Sequence, residues 1–349
     1  MELKIEVLSP VNIGSGEVLS QFSDYVYDEG FVYILDHDAL IQEIIRGKNG
    51  EAILDEFVNI VQSQAKGNTK DRFRLKGFLT EAGVDFRKFA LRKIAVQEEI
   101  QEEIQLHVKS AGQPIIPGSS LKGAIRTALI VYLFAGDERR IQNKKKYIGE
   151  DIFGRYGDDV LKYLHVSDTL PFRQEDLGIV KFSNFHLKNK KSDIPIVKEA
   201  LMRGSVSYFK IKTTALQGEV KEKFAFLNCG QELSILPIVN EFTCKNIKTE
   251  LEHLGRYNNA VINSIKDFYS SLLQVVEQAD TTKEAYLRIG SGKTFYDNTI
   301  AQRLSDNFLR RLISKSYKKA DPDTFPVTRT IVQGMYGVEV PGWIKISQL

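Results

Sequence analysis

The chain has 349 residues, 42% hydrophobic and 27% charged, with 48 lysines and arginines against 45 aspartates and glutamates for a net charge of +3. That is ordinary globular balance and about two domains at ~100–200 residues each. It excludes a polycation, a membrane span (the longest apolar helix expected, Ile125–Ala135, is far short of ~20 residues), a signal or transit peptide over the alternating Met1–Val7, and, with only Cys229 and Cys244, a disulfide framework or a four-cysteine zinc site.

Leu3, Ile5 and Val7 alternate with Lys4 and Glu6, the period of a half-buried strand, and Pro10 closes it. The turn Asn12-Ile13-Gly14-Ser15-Gly16 follows. Tyr25–Tyr27 and Phe31–Leu35 flank Asp28-Glu29-Gly30 and predict a β-hairpin. Asp36 or Asp38 then caps a helix with the stripe Leu40, Ile41, Ile44 and Ile45. Glu51–Gln64 and Asp85–Glu102 read as further helices around the polar loop Lys66–Arg74, and Ile104, Leu106 and Val108 return to period two. After Pro114 and Pro117, Leu121, Ala124, Ile125, Ala128, Leu129 and Tyr132 predict an amphipathic helix, with Ser119 or Ser120 at its N-cap.

Gly136–Gly149 reads as a charged loop, and composition shifts near Phe172–Leu177. The expected division is therefore 1–175, with a helical insertion over about 38–102, and 176–349. The second half opens with strand-like segments at Ile179–Leu187, Val206–Lys212, Lys223–Phe226 and Glu232–Ile238. A long helix over Lys245–Glu277, a turn at Arg288–Lys293, a basic helix over Asn298–Ser316 and strands near Thr328–Val332 and Trp343–Ile346 complete it. The pattern predicts α+β with antiparallel sheets.

Charge is informative only where it clusters: Lys144–Lys146, Lys188–Lys191 and Arg303–Lys319 are basic, and Glu98, Glu99, Glu102 and Glu103 are acidic. Together the basic clusters allow a polyanion footprint. Three glycine-rich segments narrow the reading. Gly14-Ser15-Gly16 follows a strand, but Leu19 stands where a dinucleotide-binding loop needs a third small residue, so only a tight turn that lets backbone approach a ligand remains. Gly290-Ser291-Gly292-Lys293-Thr294 lacks the first glycine of a phosphate loop, since Leu287 occupies it, leaving a cationic turn with Arg288 and Lys293. Gly118, Ser119 and Ser120 sit at a helix N-terminus beside Lys122 and Arg126, a place suited to a phosphate.

Ile116–Arg126 resembles the I-P-G-S-S-L-K-G-A-x-R signature of the RAMP superfamily of CRISPR-associated RNA-binding proteins. Leu8–Gly16 resembles that superfamily's first strand and glycine turn, Val166–Thr169 its V-S-D element, Leu287–Gly292 its C-terminal glycine-rich loop and Val340–Ile346 its closing G-W-x-K strand. Asn12 stands where many members have histidine. The layout is most similar to the fifth-subunit family of type III-A Csm effector complexes. The resemblance implies ferredoxin-like modules, crRNA and a neighbouring RAMP backbone subunit as partners, a place near the crRNA 3′ end, and a role in maturing the crRNA intermediate, with host nucleases doing the trimming.

A nuclease centre is not evident. His37, His107, His165, His186 and His253 form no spaced pair, no cofactor or metal is indicated, and neither Ser119 nor Ser120 has a base beside it in sequence. Asp24, after the first glycine turn, is the one candidate for metal-assisted RNA cleavage. The expectation is a non-catalytic cytoplasmic RNA-binding subunit. Its contacts are expected at Gly14, Ser15, Gly16, Gly118, Ser119, Ser120, Gly290 and Gly292, with phosphates neutralised by Lys122, Arg126, Arg288 and Lys293. An Asp24-dependent endoribonuclease and a purely structural capping subunit are the alternatives.

Overall fold

The computed structural model describes residues 1–66, 73–138, 149–214, 222–228, 230–334 and 337–349. The basic cluster Lys144–Lys146, Cys229 and most of the loops expected at 66–74 and 136–149 lie outside the described residues.

Alternation at the start of the chain gives β1 (Glu2–Val7), with Leu3, Ile5 and Val7 fully buried. The glycine turn leads into β2 (Gly14–Leu19), and β3 (Tyr25–Asp28) pairs with β4 (Phe31–Leu35) as the expected hairpin. Asp36 caps α1 (His37–Arg46) by accepting from the Ala39 amide at 3.0 Å. α2 (Gly50–Ala65) and α3 (Leu75–Glu81) follow, and this insertion has a core of its own around Tyr33, Leu40, Ile44, Leu79 and Phe86. No helix forms over Asp85–Glu102. Asp85 caps a single 3-10 turn, and β5 (Ala90–Ala95) pairs with β4 while Ile94 enters a core with Tyr25, Val32 and Ile104. The open edge of β4 and burial of Ile94 override local helix propensity.

Next come β6 (Ile104–His107), the two-residue strands β7 (Lys109–Ser110) and β8 (Gln113–Pro114), and α4 (Gly118–Leu133), whose predicted stripe is buried except for Tyr132. After α5 (Glu150–Phe153) the strands are β9 (Leu164–Val166), β10 (Leu177–His186), β11 (Lys191–Ser192), β12 (Ile196–Leu201) and β13 (Val206–Thr213). The strands expected at Lys223–Phe226 and Glu232–Ile238 are instead 3-10 turns and the start of α6 (Ile235–Gly255), which bury Phe224, Phe226, Leu227 and Leu236. The single long helix is two. Asn259 stops it by capping α7 (Ala260–Gln278), its side chain accepting from the Val261 amide at 2.9 Å. β14 (Glu284–Arg288), α8 (Asp306–Ser316), β15 (Thr328–Gly334), β16 (Gly337–Glu339) and β17 (Trp343–Gln348) complete the chain. The basic helix thus begins at Asp306, after a separate 3-10 turn at Ala301–Arg303.

Among the described residues the strands form a five-stranded sheet ordered β14-β17-β1-β13-β9 and a seven-stranded sheet ordered β16-β15-β10-β12-β6-β2, with β11 beside β10. Pairing is antiparallel except between β12 and β6. α4 and α6 pack on the inner face of the five-stranded sheet, against Leu3, Ile5, Phe209, Leu287 and Ile344. α7 packs between the sheets, its Ile265 and Tyr269 meeting Tyr286 and Trp343 on one side and Phe185 and Ile331 on the other. The α+β class with antiparallel sheets holds. Residue 175 does not separate the sheets: β1 of the first half is flanked by β13 and β17 of the second.

Candidate nucleic-acid interface

The glycine segments meet through buried polar contacts. Asn12 is 1% exposed. Its Nδ2 donates to the Glu199 carbonyl at 2.8 Å, its Oδ1 accepts from Ser291 Oγ at 2.7 Å, and its own carbonyl accepts from the Ser291 amide at 2.8 Å. This locks the first glycine turn to the C-terminal one. Gly290, at φ +70°, is required there, because a Cβ would lie 2.3 Å from the Asn12 carbonyl oxygen. His107 joins the third segment to the first, accepting from the Ile13 amide on Nδ1 at 3.2 Å and donating from Nε2 to the Ile115 carbonyl at 2.9 Å. Burial lowers its pKa, which fits a neutral ring in that role. Behind it Glu199 pairs with Arg92 and with Lys109 at 2.9 Å.

Gly14, Ser15 and Gly16 emerge from this clamp exposed, on β2 at the edge of the seven-stranded sheet. A Cβ at Gly14 or Gly16 would meet nothing within 4 Å, so these glycines leave room beside the backbone. Gly292 is half-buried against Pro341 and Thr330. Lys293 is half-buried, has no ion-pair or hydrogen-bond partner among the described residues, and has its pKa lowered by burial. Lys198, which the sequence reading missed, donates to Ser291 Oγ at 3.1 Å, and burial lowers its pKa too. Its position in β12 is legible as a strand residue, but its place beside Ser291 requires the tertiary fold.

Arg288 is turned into the protein. It is 4% exposed, forms an ion pair with Asp297 at 2.8 Å, and donates to the Pro341 carbonyl, the Gly292 carbonyl and Tyr269. Its guanidinium braces the turn from beneath and has no free face for a phosphate. The α4 terminus also differs from expectation. The cap is supplied by Asp168, whose Oδ1 accepts from the Gly118 amide at 2.7 Å, while Thr169 accepts from the Ile116 amide. Ser119 is exposed and Ser120 half-buried, with the Ser120 amide bonded to Pro117; neither caps the helix. A carboxylate already occupies the positive end of the helix dipole. Lys122 donates to the Leu161 carbonyl at 2.8 Å, and Arg126 lies 4.0 Å from Asp159 and over the Phe153 ring. Both brace the 153–161 segment.

Asp24 is likewise engaged. It accepts from the Ser20 amide and Ser23 Oγ and pairs with His37 Nε2 at 3.0 Å. Burial opposes ionisation, but His37, Ser20 and Ser23 hold the carboxyl below its ordinary range. No group of three or more potential metal ligands occurs among the described residues, and no described helix is long and apolar enough to cross a membrane.

A model of the RAMP superfamily matches residues 4–295. The chain is 26% identical to the CRISPR system Cms protein Csm5 of Methanocaldococcus jannaschii, over 99% of this chain and 88% of that one. It is also 26% identical to the Streptococcus thermophilus protein of the same name, over 61% of this chain and 64% of that one. Among solved structures, a chain of a Csm-crRNA-target RNA ternary complex of a type III-A CRISPR-Cas system superposes with a TM-score of 0.73 at 22% identity, covering 99% of this chain and all of that one. The crystal structure of T. onnurineus Csm5 gives 0.63 at 20% identity, covering 98% and 99%. With its landmark motifs joined in space and the match spanning most of its length, the chain belongs to the RAMP superfamily.

Proposed function

We propose that this chain is the fifth-subunit RAMP protein of a type III-A Csm effector complex and a non-catalytic binder of crRNA, acting in antiviral defence. On this reading it holds the crRNA near its 3′ end, beside a backbone RAMP subunit, and influences maturation of the crRNA intermediate by shielding RNA from host trimming nucleases. The observation that carries the reading is the Asn12–Ser291 clamp, which sets two glycine turns side by side next to an exposed edge strand. Gly14, Ser15 and Gly16 would admit an RNA backbone, and Lys293 and Lys198 would face its phosphates, giving sequence-independent affinity. Gly290, Gly292 and Arg288 build the turn. The relatives' names and the ternary-complex likeness support the assignment. We read the two sheets as two ferredoxin-like modules, each built from strands of both halves of the chain.

The test is to sequence crRNA ends in cells lacking this chain: 3′ ends should shift while crRNA abundance changes less. Unchanged 3′ ends would remove the maturation role. Magnesium-dependent RNA cleavage by the purified chain, lost in Asp24→Asn, would replace the binding reading with the enzymatic one.

A further inference from the structure

Beyond the glycine turn, the structure has a cleft of about 310 Å³ lined by Lys293, Phe295, Asn298, Tyr317, Phe325 and Thr328, among others. That volume is at the lower end of the roughly 300–1,000 Å³ of small-ligand sites. The aromatic wall is closely packed. Tyr317 and Phe325 have ring centroids 4.7 Å apart, and Phe295 meets Phe325 edge-on at 5.0 Å and Tyr317 at 6.3 Å. Yet Tyr317 remains 46% exposed, an aromatic surface held out toward solvent. The cation at the cleft is Lys293. The acid whose charge reaches Lys293 is Asp297, and it is already paired with Arg288 at 2.8 Å. Asn298 donates its Nδ2 to the Thr294 carbonyl, and its side-chain oxygen accepts no bond among the described residues.

We propose that this cleft seats one nucleotide of single-stranded RNA, with its base stacked on Tyr317 and Phe325 and an adjoining phosphate at Lys293. Every base has a π-face, so the contact tolerates sequence, and Asn298 supplies a polar edge for the base or ribose. The proposal rests on the RNA-binding reading above and adds to it a stacking site, separate from the backbone contacts at Gly14–Gly16.

Fluorescence anisotropy of the full chain with single-stranded RNA decamers, at several salt concentrations, tests both. Tyr317→Leu should weaken binding about tenfold with an unchanged salt slope, Tyr317→Phe should retain wild-type affinity, and Lys293→Gln should lower the log–log slope by about 0.7. A decamer carrying abasic residues should bind the wild type more weakly and the Tyr317→Leu variant no differently. Circular-dichroism melts establish that the variants are folded. Wild-type binding with no change in the Tyr317 and Lys293 variants would overturn the cleft and leave the RNA-binding reading standing. No RNA binding by the wild type, alone or in its assembled complex, would overturn both. Loss of a co-purifying protein subunit from the Tyr317→Leu variant, with RNA affinity intact, would assign the cleft to a protein instead.

Discussion

Ile116–Arg126 and Leu287–Lys293 are similar strings: each sets glycines and serine beside two cations. In the first, both cations turn to the protein itself, Lys122 to the Leu161 carbonyl and Arg126 to Asp159, and Asp168 closes the helix end. In the second, Arg288 is turned inward onto Asp297, but Lys293, though it feels the charge of Asp297, forms no ion pair or hydrogen bond among the described residues. Cation count therefore says little about where an anion will bind. What decides is whether the neighbouring fold supplies an acceptor first.

The contrast can be broken most forcefully through stability. Asp297→Ala would strand a fully buried guanidinium, and such losses cost about 3–5 kcal/mol, whereas Asp168→Ala removes a cap at the other landmark, for about 1 kcal/mol. Thermal or urea unfolding should rank them in that order; equal losses would mean that Arg288 is no more committed to the fold than the α4 terminus.

Acid should find the C-terminal region first. His253, 4% exposed and 6.4 Å from Tyr296 between ring centroids, has its pKa lowered to about 4 by burial and by the charges of Arg329 and Arg256. Its neutral form is the native one, and the unfolded chain binds the proton more tightly. Stability should thus be fully present above the ordinary histidine value of about 6.5, and should fall as pH drops toward 4. The loss is roughly 3 kcal/mol at most, at about 1.36 kcal/mol per unit. Urea midpoints between pH 7 and 4 measure it, and a flat profile in the wild type would sink the assignment.

Glycine substitutions sharpen the comparison next. Gly118→Ala and Gly290→Ala should both destabilise, by about 1–3 kcal/mol, since a Cβ would meet the Val166 oxygen at 2.2 Å in one and the Asn12 oxygen at 2.3 Å in the other. Gly14→Ala, with open space around it, should stay within about 0.5 kcal/mol of wild type. The smallest effect is the most specific: Lys293→Ala should lower the RNA-binding salt slope by about 0.7 and Lys122→Ala should not. The reverse result would return the phosphate to the α4 terminus.

Much of this was legible in the sequence wherever a pattern is local. The alternation of Leu3, Ile5 and Val7, the Gly30 hairpin and the stripe of α4 each became the element expected. Segments whose fate depends on distant partners were not. β5 exists because β4 offers an edge, and the cap of α4 comes from Asp168 rather than from the serines beside it. The landmark motifs likewise announced a site, yet the burial of Arg288 and the arrival of Lys198 at Ser291 are facts of packing that no spacing encodes.

The five-stranded sheet also sets the order in which the molecule can be made. β1 is flanked by β13 and β17, with Leu3 opposite Phe209 on one side and Gln348 on the other. During synthesis β1 is made before both of its partners and must wait for them. Until then Leu3, Ile5 and Val7 belong to an unpaired apolar strand, the kind of intermediate that invites mispairing and slows folding. Loss of β17 would leave β1 with an open apolar edge, an aggregation hazard that the finished sheet covers.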